Sequence, residues 1–364
     1  MFNLEIKECY KIRDSIDVYL IAEETICVYF LSTRQRKTFK VSEPIVKLFE
    51  MLDGKEPLVS ILSRVAQRFD LSVESFYPIL KKMFQLKILS KVDSLSEAYV
   101  RYDRQFNYFS DFFMDMRNVE AAQKKLFNVR VVIFGCGAVG GDIAILLAMA
   151  GVRNFLLVDD DIIKSSDATR HMYYKSSYEG MKKNSALARE ILNIEHKSKI
   201  EEIDLRLNPN TDISVILQKV DFVINTMDEP YIGYTSAKIS RACFCLGIPH
   251  YIAGGFDAHL ASTGELIVPH ITPCVECYAN HFKKTLAGWK PRKHPVEKRH
   301  DEIGGTAAMS LFSASYAVIN IIKYLCGLQS IERVAMPRGE LLVGDMSLTY
   351  LDVSRNPNCP VCGG

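Results

Sequence analysis

Apolar residues are spaced in two different ways along the chain, and the spacing changes near residues 93–125. Before that point, residues 15–30 form two β-rich runs around a polar turn at Ala22-Glu23-Glu24, and helical spacing of apolar residues follows. The predicted helices are residues 43–52, 57–68 and 73–86. Strands followed by short helices within the first 95 residues predict a small winged-helix domain of the α+β class.

From Val129 onward, short apolar runs alternate with helical segments. The apolar runs, each suited to a buried parallel strand, are residues 131–134, 155–158, 222–225 and 250–253. The helical segments are residues 140–150, 181–193, 233–246 and 306–325. This alternation predicts a Rossmann-like α/β domain, in which helices cover both faces of a mostly parallel sheet. We therefore divide the chain into a winged-helix domain (1–95), a linker and arm (96–128) and the α/β domain (129–364).

Composition argues against several classes of function. The 364 residues carry a net charge of +2, which provides no overall field to attract nucleic acid or an anionic membrane. No run of about 18 apolar residues is present, so we expect no membrane span. The N-terminal residues do not have the pattern of a signal peptide, and ten cysteines without such a signal indicate a reducing, cytoplasmic location.

A glycine-rich loop follows the first strand of the α/β domain. Gly135, Gly137 and Gly140 form a G-x-G-x-x-G pattern, and the helix opens around Ala138. The first glycine permits a tight turn, the second lets a phosphate approach the backbone, and the third lets helix and strand pack closely. Asp159, at the end of the next strand, is placed to accept hydrogen bonds from a ribose hydroxyl. This part of the pattern fits NAD as well as ATP, and without a ligand it would be only a tight turn.

Charged residues beyond the second strand favour ATP over NAD. They are Asp161, Asp167, Arg170, Lys183 and Asp228. A triphosphate needs cations to neutralise its charge, whereas nicotinamide enzymes do not need an arginine and a lysine at these places. Asp228 follows the strand 222–225 and can hold Mg²⁺ through its carboxylate. Each of these residues taken alone could be an ordinary solvated side chain.

These motifs resemble those of the ThiF/MoeB/HesA superfamily, relatives of the ubiquitin-activating enzymes. The matching segments are GCGAVGG, DDD, SDATRH, GMKK and INTMDEP, together with residues 101–105, which resemble the family's R-Y-x-R-Q motif. The resemblance implies an adenylating enzyme that acts as a homodimer, in which Arg104 reaches the ATP phosphates of the neighbouring subunit. It also implies Asp159 for ribose, Arg170 and Lys183 for phosphates, and Asp228 for Mg²⁺. The family usually has Asn at Asp167, so we expect this carboxylate either to bind the metal or to turn away from the phosphates.

Four cysteines form two C-x-x-C pairs near the end of the chain, Cys274 with Cys277 and Cys359 with Cys362. Four thiolates close a tetrahedral zinc site, and such a closed site is structural because no coordination position stays open. A redox C-x-x-C is the alternative, but it does not explain two pairs. The spacing predicts that zinc ties the C-terminal tail to the α/β domain.

Residues 279–305 form a polar, basic segment without cysteine. In ubiquitin-activating relatives and some sulfur-carrier enzymes, this region can carry a cysteine that takes the acyl group. We expect a solvated crossover loop carrying His281, His294 and His300, with a lid that closes over substrate as the alternative. The other cysteines appear as core or loop positions by their context, so we expect the chemistry to stop at, or branch from, the acyl-adenylate.

The first 95 residues resemble PqqD-like domains, which bind leader peptides by adding them as a strand. We expect such binding at an exposed strand edge within residues 15–40; a DNA-binding winged helix is the alternative, but residues 57–86 have no concentrated basic face. The layout resembles microcin C-type and pantocin-type peptide-modifying enzymes, which implies adenylation of a small ribosomal precursor peptide. Two other functions stay open: adenylation of a sulfur-carrier protein, and non-catalytic presentation of a leader peptide.

Overall fold

A computed structural model describes residues 5–92, 97–113, 115–229, 231–290 and 304–363. The chain divides into two compact units, Met1–Ala122 and Gln123–Gly364. Each unit has its own buried apolar residues, and each is described by itself below.

The first unit is built from small antiparallel sheets and short helices. Strand order is β2-β3-β4 in one sheet and β5-β1-β6 in the other. The elements are β1 (Cys9–Ile12), β2 (Ile16–Ala22), β3 (Thr25–Phe30), β4 (Gln35–Lys40), α1 (Glu43–Met51), β5 (Asp53–Pro57), α2 (Leu58–Arg68), α3 (Tyr77–Gln85), β6 (Leu89–Lys91), α4 (Asp103–Ser110) and the first half of α5 (Met116–Asn128), whose residues from Gln123 onward belong to the second unit. The predicted hairpin over residues 15–30 and the three helices are confirmed.

Apolar faces of the helices meet the sheets of this unit in one core. Leu48 of α1, Leu62 of α2 and Leu80 of α3 are fully buried there. The apolar spacing that predicted these helices therefore corresponds to their packed faces. The strands β1, β4 and β5 were not predicted, because most of their residues are partly or fully exposed.

The second unit is organised around a mostly parallel sheet with strand order β14-β11-β10-β7-β8-β9. The strands β7 to β11 pair in parallel, and β14 joins the edge antiparallel to β11. The elements are β7 (Arg130–Phe134), α6 (Ala138–Met149), β8 (Asn154–Val158), α7 (Lys183–Ile194), β9 (Lys199–Ile203), β10 (Phe222–Asn225), α8 (Ile232–Cys245), β11 (His250–Ile252), β12 (Phe256–Asp257), β13 (Leu260–Ser262), β14 (Glu265–Ile267), α9 (Val275–Thr285), α10 (Ala307–Cys326), α11 (Ile331–Val334), β15 (Gly339–Leu342) and β16 (Ser347–Tyr350). The predicted α/β fold is confirmed.

Parallel pairing brings the polar residues that follow the strands to one edge of this sheet. Phe134 pairs with Val158 on one side and with Asn225 on the other, so the three strands end level with one another. The glycine loop, Asp159 and the loop that carries Asp228 therefore start from neighbouring strand ends. In open α/β sheets this edge is where ligands bind.

A second, antiparallel sheet and a long helix complete the unit. The strands β12-β13-β15-β16 form that sheet, which the sequence pattern did not predict because its strands are two to four residues long. Helix α10 packs along α6 and buries small residues such as Ala314 and Ala317, as predicted. By length and composition alone α10 would also qualify as a membrane span, although half of the tested segment is buried within the protein.

One predicted loop is partly helical. Residues 279–305 were predicted as a solvated crossover loop, but α9 continues through Thr285, so His281 lies on a helix. Cys274 is the N-cap of α9 and Cys277 lies in its first turn, so the helix begins at the cysteine cluster. His294 and His300 lie outside the described residues, and the loop-or-lid question stays a prediction for that part of the segment.

Candidate functional site

The glycine loop joins β7 to α6 in a turn that only glycine tolerates at two positions. Gly135 has φ +93°, and a Cβ there would lie 2.5 Å from Oγ1 of Thr226. A Cβ on Gly140 would lie 2.0 Å from the carbonyl oxygen of Gly135, so this glycine permits the close approach of helix and strand. By contrast, a Cβ on Gly137 would meet no protein atom within 4 Å. Gly137 is the N-cap of α6, with Ala138 as its first residue, and it faces open space.

Asp159 fixes the loop from the end of β8. The backbone N–H of Cys136 donates to its Oδ2 at 2.6 Å, and the N–H of Asp161 donates to its Oδ1 at 2.8 Å. Burial raises the pKa of Asp159, and the two backbone N–H groups and the charge of Lys183 oppose that rise. The buried carboxylate therefore holds the glycine loop and the turn at Asp161 in fixed positions relative to each other.

Lys183 opens α7 and points toward the same turn. Its side chain is only 12% exposed, and its ammonium lies 2.8 Å from Oδ2 of Asp161. Burial alone would lower the pKa of Lys183, but the hydrogen bond to Asp161 and the charges of Asp159, Asp161 and Asp167 raise it. The amine is thus held protonated. A cation in the first turn of a helix is opposed by the helix dipole, which favours anions at that end.

Asp228 lies on the exposed loop after β10. Partial burial raises the pKa of this carboxyl group and the charge of Glu229 adds to the rise, whereas a hydrogen bond from its own backbone N–H and the charge of Lys183 oppose it. The buried Asn225 shapes the same loop, since its side-chain oxygen accepts the N–H of Met227 at 3.1 Å. Asp228 therefore presents a carboxylate to solvent within the field of Lys183.

Asp167 is turned away from solvent and is fully buried. Its Oδ2 accepts the backbone N–H of Lys164 at 2.9 Å, and its Oδ1 lies 2.9 Å from the guanidinium of Arg170. The ring of His171, whose pKa burial lowers to about 4, lies 3.6 Å from the same carboxylate. Arg170 is 31% exposed, so its guanidinium contacts Asp167 while part of it reaches the surface. Of the two expectations for Asp167, the geometry is that of a side chain turned inward.

Arg104 lies in the first turn of α4 and is exposed. Helix α4 belongs to the first unit, whereas the site residues above belong to the second. The other predicted residues gather at one edge of the α/β sheet.

The four predicted metal ligands come together in the second unit. Their sulfur atoms all lie within 4.8 Å of one another, and all four side chains are buried. The sulfur atoms of Cys274 and Cys359 are 3.6 Å apart, and those of Cys277 and Cys362 are 3.5 Å apart. Within the first C-x-x-C motif, the sulfur atoms of Cys274 and Cys277 are 4.0 Å apart. Four thiolates at about 2.3 Å from a tetrahedral zinc would lie about 3.8 Å from each other. The cluster therefore has the dimensions of a Cys₄ site.

Comparison with known proteins places this arrangement in a family. The ThiF family matches residues 102–361, which include the glycine loop, the charged residues and three of the four paired cysteines, all but Cys362. The chain belongs to the ThiF family. The resemblance drawn from the sequence motifs is thereby confirmed.

Relatives of this ThiF-family chain include sulfur-carrier enzymes. The sulfur carrier protein ThiS adenylyltransferase of Escherichia coli is 25% identical over 271 residues, covering 73% of this chain and 96% of that protein. The adenylyltransferase and sulfurtransferase UBA4 of Saccharomyces cerevisiae is 28% identical over 185 residues, or 50% of this chain. The chain spans only 39% of the length of UBA4.

Solved structures resemble nearly the whole chain in fold. Escherichia coli MccB, solved with ATP, has a TM-score of 0.72 at 20% identity, and the match covers 97% of this chain and 99% of MccB. PaaA has a TM-score of 0.71 at 18% identity, and the match covers 94% of this chain and 100% of PaaA. Both likenesses therefore include most of the residues that precede the ThiF-family match.

The sequence analysis missed polar residues whose side chains hydrogen-bond the backbone of this ThiF-family site. The hydroxyl of Tyr173 donates to the carbonyl oxygen of Cys136, and its ring lies against Gly141. Thr226 donates to the carbonyl oxygen of Gly135 at 2.9 Å, and Asn184 donates to that of Asp159 at 3.3 Å. The place of Thr226 directly after a parallel strand could have identified it. Tyr173 carries no such local signal.

Proposed function

We propose that this ThiF-family protein uses ATP to adenylate a carboxylate. The observation that carries the proposal is Lys183: a mostly buried ammonium, held protonated, at a helix N-terminus beside a glycine loop whose Gly137 faces open space. Cation and helix dipole both favour an anion there, and a polyphosphate is the anion that such a loop fits. The solved MccB complex with ATP supports the same nucleotide.

Each site residue then takes a role in binding the nucleotide. The backbone of Gly135, Gly137, Ala138 and Gly140 would cradle phosphate, and Asp159 would accept from ribose. Arg170 and Lys183 would neutralise the phosphates. Asp161 would orient Lys183, and Asp167 would orient Arg170, through the ion pairs described above. The carboxylate of Asp228 is exposed at the strand edge, and this oxygen donor fits Mg²⁺, which keeps several waters and uses few protein ligands.

The reaction follows from that arrangement. The substrate carboxylate attacks the α-phosphate of ATP, the bond to the β-phosphate breaks, and pyrophosphate leaves. Lys183 and Arg170 would stabilise the charge that develops on the phosphate oxygens. The product is a mixed anhydride between the carboxylate and AMP.

We assign the carboxylate to a small ribosomal precursor peptide. MccB, which matches nearly the whole chain in fold, has been solved with MccA and is described as a microcin C7 biosynthetic enzyme. The ThiS adenylyltransferase, in contrast, is 96% covered by a match that leaves about a quarter of this chain unmatched. The first unit is the candidate for binding the peptide, and the exposed residues of β2, Tyr19, Leu20 and Ile21, mark its most apolar accessible strand.

Among the cysteines that the structure describes, none is both exposed and next to the glycine loop. Residues 279–305 contain no cysteine, and Cys136, beside the site, is fully buried with its pKa raised by that burial and by Asp159. We therefore propose that the next nucleophile belongs to the peptide. Adenylation of a sulfur carrier is the second candidate, supported by the ThiS adenylyltransferase and UBA4 relatives.

Zinc and dimerisation belong to the same proposal. Cys274, Cys277, Cys359 and Cys362 would hold one structural zinc ion, because their sulfur separations match a tetrahedral site. Arg104 would act on the nucleotide of a second copy, which makes the active species a homodimer.

The direct test is ATP–pyrophosphate exchange with purified protein. We expect exchange with a short peptide encoded next to this protein and none with a sulfur-carrier protein ending in Gly-Gly. Exchange only with the carrier, together with a thioester on a cysteine of this chain, would favour the second candidate. Peptide binding without any exchange would favour a non-catalytic leader-binding role.

The dimer has a separate test. Chains with Arg104→Ala and with Lys183→Ala should each lose most of their activity, and mixing them should restore part of it because one hybrid site keeps both residues. Mixing two differently tagged Lys183→Ala chains is the control. Absence of rescue, with subunit exchange demonstrated by the tags, would contradict action across the interface.

A further inference from the structure

The segment that carries Arg104 is tied to the small domain that precedes it. Ser15 donates to the carboxylate of Asp111, and the ammonium of Lys87 donates to the carbonyl oxygen of Phe112 at 3.3 Å. Both ties join the end of α4 and the residues just after it to the turns beside β2 and β6. Phe106 and Phe109 of α4 are fully buried. The part of the predicted linker from Phe106 to Phe112 is therefore fastened to the small domain.

Arg13 makes the central connection. Only 4% exposed, it lies between β1 and β2 and donates to the carbonyl oxygens of Ser110 and Phe113, the latter at 2.9 Å. Its Nε also approaches the carbonyl oxygen of Leu89 in β6 at 3.4 Å. One guanidinium thus joins the sheet of the small domain to the arm.

The position of these acceptors explains why an arginine is needed. Ser110 is the last residue of α4, where helix carbonyls have no partner within the helix and a cation is favoured by the helix dipole. Arg13 therefore caps the C-terminus of α4, and Asp111 supplies a nearby opposite charge. Arg104 lies six residues before Ser110, or about 9 Å along the same helix. Fixing the C-terminal end of so short a helix fixes the direction in which its first turn points.

We infer that Arg13 is the positioning residue for Arg104, so that the peptide-binding domain and the arginine of the adenylation site move as one body. The inference rests on the proposed role of Arg104 in adenylation. It assigns to the small domain a second task besides peptide recognition: it presents a catalytic group. The hydrogen bonds of Arg13 would therefore couple binding of the peptide by the small domain to placement of Arg104 in the adenylation site.

The test is a double-mutant cycle on peptide-dependent adenylation. Arg13→Met should lower kcat by about tenfold or more while the peptide Kd changes less than about twofold, since its acceptors Ser110 and Phe113 lie on the arm and not on the exposed strand β2. In the double variant Arg13→Met/Arg104→Ala, activity should equal that of Arg104→Ala alone within about twofold, because Arg13 acts only through Arg104. Arg13→Lys, which keeps the charge and can reach fewer acceptors, should recover part of kcat.

Lys11→Met provides the matched control. Lys11 lies on β1, two residues before Arg13, and in the contacts described it pairs only with the exposed Asp14. Its replacement by Met removes a cationic side chain of similar length. It should leave both kcat and peptide Kd unchanged. If Arg13→Met does not fold, Ser15→Ala removes the bond to Asp111 and should show a smaller loss of kcat with the same absence of additivity.

Outcomes separate this inference from the proposed function. A wild-type protein without peptide-dependent exchange would refute adenylation; the tether would then be judged by hydrogen exchange, which should show amides 105–113 protected in the wild type and exposed in Arg13→Met, with α2 and α3 unchanged. Unchanged protection would overturn the inference. If the wild type is active, three results would each overturn the inference. They are additive losses of activity in the double variant, an unchanged kcat in Arg13→Met, and an unchanged kcat in Arg104→Ala.

Discussion

The candidate nucleotide site around the glycine loop and the cysteine cluster both lie in the second unit, but their polar side chains are arranged in opposite ways. Around the glycine loop, carboxylates and cations hold backbone groups and one another, and Gly137 faces open space. In the cluster, four buried sulfur atoms lie within 4.8 Å of one another, and the backbone N–H of Asn356 also donates to Sγ of Cys277. In the open site, Asp159 and Lys183 have protein partners without any ligand, whereas four thiolates in the closed cluster would need an ion to balance their charge.

This difference predicts which property each region controls. Residues of the open site can be changed with loss of activity and little loss of stability, because the structural bonds there belong mainly to Asp159 and to the backbone. In the cluster the same residues would hold the metal and the fold together. The following predictions test that separation, beginning with the largest effect.

Removing zinc should have the largest effect, and it should fall on stability. Structural zinc sites contribute on the order of 10 kcal/mol in isolated zinc-binding peptides, and the loss here should be several kcal/mol because only the tail and α9 depend on it directly. We expect Cys359→Ser to lower the thermal midpoint strongly and elemental analysis to find one zinc per wild-type chain. The exposed Cys245, replaced by Ser, is the control. Freshly purified protein without metal would contradict the assignment.

Removing a phosphate-site cation should affect activity instead. Lys183→Ala and Arg170→Ala should each cost about 2–4 kcal/mol of transition-state stabilisation, the range for a lost preorganised charge contact. Urea unfolding should show a much smaller change for both. The neighbouring Lys182 donates to the carbonyl oxygen of Asp160 and pairs with Asp204, so Lys182→Ala is the matched control. Equal losses of activity for Lys182 and Lys183 would contradict a specific role.

Substitution of two glycines in the same loop should affect different properties, stability for Gly140 and ATP affinity for Gly137. Gly140→Ala places a Cβ 2.0 Å from a carbonyl oxygen and should destabilise the protein by about 1–3 kcal/mol or more. Gly137→Ala meets no protein atom, so stability should stay near that of the wild type while ATP affinity falls, because the methyl group occupies the open space. Calorimetric ATP titration and urea unfolding of both variants measure the contrast. Normal ATP affinity in Gly137→Ala would place the phosphate elsewhere.

Asp142 should show the smallest effect, and it depends on pH. Burial raises the pKa of this carboxyl group to about 6, although Ser310 donates to it at 2.9 Å. Because the pKa is higher in the folded than in the unfolded chain, stability falls as pH rises from about 4 to 6 and stays lower above that range. Asp142→Asn should therefore be more stable than the wild type by about 1–2 kcal/mol at pH 8 and equal to it near pH 4. Urea unfolding at the two pH values measures this, and an equal difference at both would contradict it.

Much of the fold could be predicted from the sequence, because its signals are local. The strands 131–134, 155–158 and 222–225 are continuous apolar runs since parallel strands are buried on both faces, and the structure has them within a residue. The glycine loop and the paired cysteines carry spacing that few other structures require. These parts were assigned without knowledge of any distant contact.

What only the tertiary structure decided depends on partners far away in sequence. The strands of the second sheet, two to four residues long, form because β13 pairs with β15 some eighty positions later. Asp167 could have faced the phosphates, but burial beside Arg170 and His171 turned it inward. Tyr173 reached the glycine loop, and Arg13 reached the end of α4, about a hundred residues away. Residue type and spacing determine which groups are available, whereas the desolvation and pairing of a buried polar group depend on neighbours that only the folded chain brings to it.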